Sequence, residues 1–282
     1  MRRPQARRIR TELIPADAAN ATRASELIAA IKEDPTHSAL LLDFDGTLTP
    51  IAEDPDVPAL TSGEIDLLHR LSMILGTLAV VSGRPGEFLA ERLGLEQGRE
   101  SRLFAVGRTG LDEVNARGEI TTDHEFDGWG EQMHELATKA RAAAPLAWIE
   151  EKGVILTFHW RRAPQTEQTL RDVAAHAIEH EGLSSREGKR SIEVFPPGLP
   201  DKSTVVQELA GASRVIAYIG DDVGDLEAYQ ALDELDATKR TFRGCVLSDE
   251  VPSEMTRRAD LLLASSTETI ALLDALAEAL EI

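Results

Sequence analysis

The chain has 282 residues, with 30 basic against 49 acidic side chains and a formal charge of −19, a balance that argues against a nucleic-acid backbone as partner. One cysteine, Cys245, excludes an internal disulfide or a thiolate metal cluster, and no apolar run approaches the roughly 20 residues that span a bilayer. The Arg-rich start, Arg2 to Arg8, lacks the apolar core of an export signal, so the expectation is a cytoplasmic monomer acting on a small molecule, with neither nucleic acid nor membrane as partner.

In chain order, residues 1–35 read as a solvated tail and a helix that ends before Pro35. Leu40-Leu41-Leu42 is apolar without alternation, the pattern of a strand buried on both faces. It stops at Asp43-Phe44-Asp45-Gly46-Thr47-Leu48. There Asp43 and Asp45 face the same way if the extended conformation continues, and Gly46 allows a backbone to approach a ligand closely. Two carboxylates this close require a proton or a cation between them, and Mg²⁺, which prefers oxygen ligands, meets that need. Pro50 to Pro58 reads as a loop, and Thr61 or Ser62 then caps a helix bearing Ile65, Leu68, Leu71 and Leu75. A second apolar strand, Leu78 to Val81, runs into Ser82-Gly83-Arg84-Pro85. This places a hydroxyl and a small residue before a proline suited to a helix start, where free N–H groups attract anions.

Phe104 to Val106 is a short strand, followed by Gly107-Arg108-Thr109-Gly110 and a hairpin-like return through Asn115 to Gly118. From Asp112 the texture changes: a helix over Phe126 to Ala144, strands over Ala147 to Glu151 and Val154 to Trp160, a helix over Glu167 to Glu181 and a strand over Ser191 to Phe195. Strands joined by short turns with helices between them predict an α+β domain inserted over 112–195. The segments 36–111 and 196–282 form the main domain. In the second of these, Asp201 caps a helix opening at Lys202, and Arg214 to Ile219 is a third buried strand, ending on Gly220-Asp221-Asp222-Val223-Gly224-Asp225. Cys245 to Leu247 and Leu261 to Ala264 are further strands, and Thr267 caps a last helix. The fold class is α/β, a Rossmann-like doubly wound parallel sheet carrying an inserted α+β cap. Ligands of such sheets bind beyond the carboxyl ends of the strands where their order reverses, so Asp43, Asp45, Ser82 and Asp221 are expected to meet.

Asp43 to Leu48, then Ser82, Lys202 and Gly220-Asp221, resemble in order the motifs of the haloacid dehalogenase superfamily of phosphotransferases. The resemblance implies that Asp43 attacks phosphorus and Asp45 shuttles the proton. It also implies that Ser82 and Lys202 hold the phosphoryl group, with Gly46, Thr47 and Arg84 beside it. Mg²⁺ would be held by Asp43, the main-chain carbonyl of Asp45 and Asp221, while Asp222 and Asp225 orient metal waters or Lys202.

Within the insertion, Glu150-Glu151-Lys152-Gly153, Phe158-His159-Trp160-Arg161 and the run from Gly188 to Gly198 resemble the cap of trehalose-6-phosphate phosphatases. That implies that Glu150 with Lys152, and Lys189 with Glu193, bind sugar hydroxyls, and that the reaction is hydrolysis of trehalose 6-phosphate to trehalose and phosphate. Four positions depart from the family pattern: Thr109 stands where a histidine is common, Gly224 and Leu226 flank Asp225 in place of threonine and glutamate, and Ser203 replaces a glycine. Sucrose 6-phosphate, a mannosyl phosphoglycerate and a sugar-phosphate-binding regulatory role are the alternatives. By residue type alone, Glu150 and Lys152 also fit a cross-strand surface pair, His159 a packed side chain, and Trp129, Trp148 and Trp160 cap core.

Overall fold

The computed structural model describes residues 18–51, 59–95, 98, 100–188, 190–248 and 251–282; the Arg-rich tail, most of the proline-rich loop and Lys189 lie outside them. Among the described residues the larger of two sheets has eight strands. Its parallel part comprises β1 (Ser38–Leu42), β2 (Thr77–Val81), β3 (Phe104–Gly107), β10 (Val215–Gly220), β11 (Arg240–Val246) and β12 (Leu261–Leu263). The spatial order β12-β11-β10-β1-β2-β3 reverses beside β1, which pairs with β10 on one side and β2 on the other.

Period-two geometry explains the unbroken apolar runs. Leu40 and Leu42, with Val215, Ala217 and Ile219, enter one core; Ala39 and Leu41, with Ile216 and Tyr218, enter the other. The first core is completed by α1 (Ala18–Glu33), α2 (Ser62–Ile74), α3 (Gly86–Arg92) and α9 (Ser266–Ala279). The second is completed by α6 (Lys202–Ala210), α7 (Asp225–Glu234) and α8 (Ser253–Arg258). At Thr61 a capping box starts α2: the threonine hydroxyl accepts from the Glu64 N–H, and the Glu64 carboxylate accepts from the Thr61 N–H. The last helix has Ser265 at its N-cap position, without a side-chain bond, and opens at Ser266, ahead of the expected Thr267.

The smaller sheet, ordered β6-β7-β9-β8, is antiparallel throughout: β6 (Trp148–Lys152), β7 (Ile155–His159), β8 (Ser184–Gly188) and β9 (Ser191–Phe195). One face carries α4 (Gly130–Ala143) and α5 (Glu167–Glu181), with Ile149, Leu156, Phe158, Ile192 and Val194 turned into the core between sheet and helices. The expected helix over Phe126 to Ala144 is broken near its start by a tight turn, Asp127–Trp129, before α4 begins.

Two segments sit differently from the sequence partition. The hairpin of β4 (Asp112–Val114) and β5 (Ile120–Thr122) pairs antiparallel with β3 and extends the larger sheet. Its anchor is the buried Asp112 carboxylate, which accepts from the Gly86 N–H at 2.9 Å, the Thr122 hydroxyl at 2.8 Å and the Arg108 guanidinium. Likewise α1, grouped with the tail, buries Ala24, Leu27, Ala30 and Ile31 in the main core, and the Asn20 carboxamide accepts from the Leu262 N–H of β12 at 2.8 Å. Among the described residues no helix is long and apolar enough to cross a membrane.

Candidate active site

At the carboxyl end of β1 the ladder continues one step, the Asp43 N–H donating to the Ile219 carbonyl at 2.9 Å, and this fixes the Asp43 carboxylate above the strand junction. Lys202, first residue of α6, reaches it at 2.9 Å. The helix start is set by Asp201, whose carboxylate accepts from the Thr204 N–H at 2.9 Å. Asp225, first residue of α7, accepts from Lys202 at 2.5 Å, from the Tyr218 hydroxyl at 2.6 Å and from the Asp221 and Asp222 N–H groups, both at 2.8 Å. These four donors match the roughly four lone-pair sites of a carboxylate.

Glycines give the acids room. A Cβ on Gly46, whose φ is +80°, would lie 2.1 Å from the Asp221 carboxylate, and one on Gly220 would lie 2.3 Å from Asp225. Burial pushes the Asp43 carboxyl well above the usual range; Lys202 opposes this, while Asp225 and Asp221 add to it. Burial would lower the Lys202 ammonium, but Asp225 and Asp43 hold it well above its ordinary value.

Asp43, Asp221 and Asp225 place carboxylate oxygens within 4.8 Å of one another, all buried. One ammonium against three carboxylates leaves an excess of negative charge out of contact with bulk water, which is costly unless compensated. An all-oxygen set of this charge fits a hard divalent cation, so the residues present can hold one.

The Asp45 carboxylate is not part of that triad. Arg84 grips it with two parallel bonds of 2.7 Å each, and its guanidinium lies over Phe88 at 4.6 Å. The Ser82 hydroxyl accepts from the Arg84 N–H at 3.2 Å, and Asp43, Asp45, Ser82, Arg84, Lys202, Asp221 and Asp222 line one cavity. Gly46 and Thr47, expected beside the phosphoryl group, are not among the residues that line this cavity. The Gly46 N–H donates to the Thr49 carbonyl at 2.8 Å, closing a tight turn, and the Thr47 side chain is fully buried.

The opposite wall of this cavity, about 310 Å³ in volume, is the second face of the smaller sheet. Alternation turns Glu150, Thr157, Glu193 and Arg186 the same way, and the strand register sets them side by side in one row; Trp148, His159, Ser191 and Gly188 form the next. Lys152 lies 3.3 Å from Glu193 and 3.5 Å from Glu150, His159 bonds Glu150 at 3.0 Å, and the Thr157 hydroxyl donates to Glu193 at 3.1 Å. Burial alone would raise the Glu193 carboxyl, yet Lys152 and Arg186 bring it down to about 2. Glu150 is likewise lowered, as His159 and Lys152 outweigh its burial. Glu150, Lys152 and Glu193, expected to bind sugar hydroxyls, lie on one wall of the cavity, while Lys189 falls outside the described residues.

Among the lining residues that the sequence reading did not assign to the site are Trp148, Arg186 and Glu227. Trp148 is 41% exposed, not core, and stacks on His159 with ring centroids 4.2 Å apart; the alternation that aligns it with Glu150 and Lys152 was the available signal. Arg186 and Glu227, in contact across the cavity, carried no local pattern. At the position of a common family histidine, the Thr109 N–H donates to the Ser82 carbonyl at 3.0 Å, so this turn braces the Ser82 loop through its backbone.

This doubly wound sheet with a second sheet above it shares the fold of a solved haloacid dehalogenase-like hydrolase from Bacteroides thetaiotaomicron, at a TM-score of 0.59 and 17% identity over 86% of this chain and 99% of that one. The solved C-terminal domain of the C. albicans trehalose-6-phosphate phosphatase shares the fold at a TM-score of 0.74 and 21% identity, over 94% of this chain and 98% of that one. The trehalose-phosphatase family model matches residues 41–264, and the chain belongs to that family. Over 184 residues it is 31% identical to a trehalose-phosphatase of Zygosaccharomyces rouxii, covering 60% of this chain but only 19% of that longer protein. Over 229 residues it is 28% identical to a probable trehalose-phosphate phosphatase of Sinorhizobium fredii, covering 77% of this chain and 82% of that one.

Proposed function

We propose that this protein is a Mg²⁺-dependent phosphatase that hydrolyses trehalose 6-phosphate to trehalose and phosphate. The observation that carries the reading is the facing of two surfaces across one cavity: the Asp43–Lys202 centre on the larger sheet and the Glu150–Lys152–Glu193 row on the smaller. Alternating carboxylates and ammonium groups supply the acceptors and donors that a polyol requires.

Asp43 attacks phosphorus while the bond to the sugar oxygen breaks, and the departing oxygen takes its proton from Asp45, leaving an aspartyl-phosphate. Asp45 then removes a proton from water as the water attacks phosphorus, which releases Asp43 and inorganic phosphate. Lys202 and the Ser82 hydroxyl bind the non-bridging oxygens, and Arg84, which grips both Asp45 oxygens before substrate enters, must give up that grip for Asp45 to carry the proton and then adds positive charge beside the substrate. A magnesium ion held by Asp43, Asp221 and the main-chain carbonyl of Asp45 would supply further charge cancellation on the phosphoryl oxygens. Asp225, already engaged by four donors, orients Lys202, and Asp222 stands beside it in the same loop.

Phosphate release from trehalose 6-phosphate, sucrose 6-phosphate and mannosyl-3-phosphoglycerate, each with Mg²⁺ and with chelator, tests this. Trehalose 6-phosphate is expected to be turned over fastest and only with the metal. A rate no higher than the others sinks the substrate assignment; a rate indifferent to chelator sinks the metal.

A further inference from the structure

Arg186 is mostly buried and does two things at once. Within the smaller sheet its guanidinium donates to Glu193 at 3.1 and 3.3 Å; across the cavity it donates to Glu227 of α7 at 3.1 and 3.4 Å. Glu227 turns the same oxygen that takes the 3.1 Å bond to the Lys202 N–H, at 3.2 Å. A continuous polar path therefore joins Lys152 and Glu193, on the sugar-facing wall, to Lys202 and Asp43, on the phosphoryl-facing wall.

We propose that Arg186 is a positioning residue that registers the sugar-recognising wall against Lys202, with Glu227 as its counterpart on the larger sheet. The proposal deepens the phosphatase reading and rests on it. The planar fork of arginine can engage two carboxylates in fixed directions, which a lysine cannot reproduce. Without the guanidinium, Glu193 and Glu227 would face each other across the cavity with less compensation, and like charges in a partly desolvated cleft drive the walls apart. A substrate that spans both walls depends on that registration; a small phosphate ester held only by the phosphoryl centre depends on it less.

Wild type, Arg186→Met, Arg186→Lys, Glu227→Gln and the double variant R186M/E227Q are compared on trehalose 6-phosphate and p-nitrophenyl phosphate. For Arg186→Met and Glu227→Gln the loss in kcat/KM on the disaccharide ester is expected to exceed that on the aryl ester by about tenfold or more. Arg186→Lys should fall between wild type and Arg186→Met, and the double variant should be little worse than the poorer single one, as for two groups acting as a unit. Equal losses on the two esters, or additive losses, overturn the proposal. Wild-type inactivity on trehalose 6-phosphate overturns the phosphatase reading instead. Registration is also read without substrate, by amide exchange: Glu227→Gln, which preserves side-chain volume, should speed exchange in both the 184–195 and 202–206 segments. Faster exchange in neither segment, or in only one, counts against the proposal even if Arg186→Met fails to fold.

Discussion

Asp43 stands where burial, one ammonium and two neighbouring carboxylates all act on a single group. Asp43→Asn keeps its size and replaces the nucleophilic carboxylate with a neutral amide. Turnover and the covalent phosphoenzyme, followed by phosphate release and intact-protein mass, are expected to vanish together; residual steady-state turnover would require another nucleophile. Gly46 is a separate test of the metal. A methyl group there lands on the Asp221 carboxylate and also strains a positive-φ backbone. Gly46→Ala should weaken Mg²⁺ binding, measured by calorimetry, by about tenfold or more, and unchanged affinity would remove Asp221 from the ion's ligands.

At the scale of elements, α6 exists to deliver Lys202, and Asp201 starts it. Asp201→Ala should cost about 1 kcal/mol of stability in denaturant unfolding, with a fall in kcat as the lysine loses its fixed origin; a stability loss with kcat intact would separate cap from catalysis. The strands that carry the acids were legible because burial on both faces leaves an uninterrupted apolar run, as in Leu40 to Leu42 and Val215 to Ile219. What lay hidden was set by distant partners. Ser184 to Gly188 is an edge strand whose residues are all at least partly exposed, so no apolar alternation marks it, yet it delivers Arg186. The Asp112 hairpin reads like the start of the insertion, and what ties it to the larger sheet is its ladder with β3 together with the Gly86 and Arg108 bonds to Asp112. Trp148 was misread because bulk suggests burial, whereas its place in the β6 alternation turns it to the cavity.

For the molecule as a whole, the charged cavity wall makes stability depend on acid. Glu193 carries a folded-state pKa of about 2 against an ordinary 4.5. A depressed carboxyl stabilises the fold fully above the higher value and loses that contribution as pH falls through the lower one. The shift corresponds to about 3 kcal/mol at most. The stability difference between wild type and Glu193→Gln should therefore shrink as pH drops from 4.5 toward 2 in urea titrations. A difference constant over that window would mean that Lys152 and Arg186 do not hold the carboxyl as the geometry indicates.

The central pairing of β1 with β10 has a consequence for synthesis on the ribosome. Ser38 finds its neighbour in Val215, and at roughly 5–20 residues per second the nascent chain waits on the order of 10 s or more before that neighbour emerges. Through that interval Leu40 to Leu42 is an aggregation-prone segment beside an incomplete acidic cluster. The three buried carboxylates of Asp43, Asp221 and Asp225 can come together only after the Asp221 to Asp225 loop has left the exit tunnel.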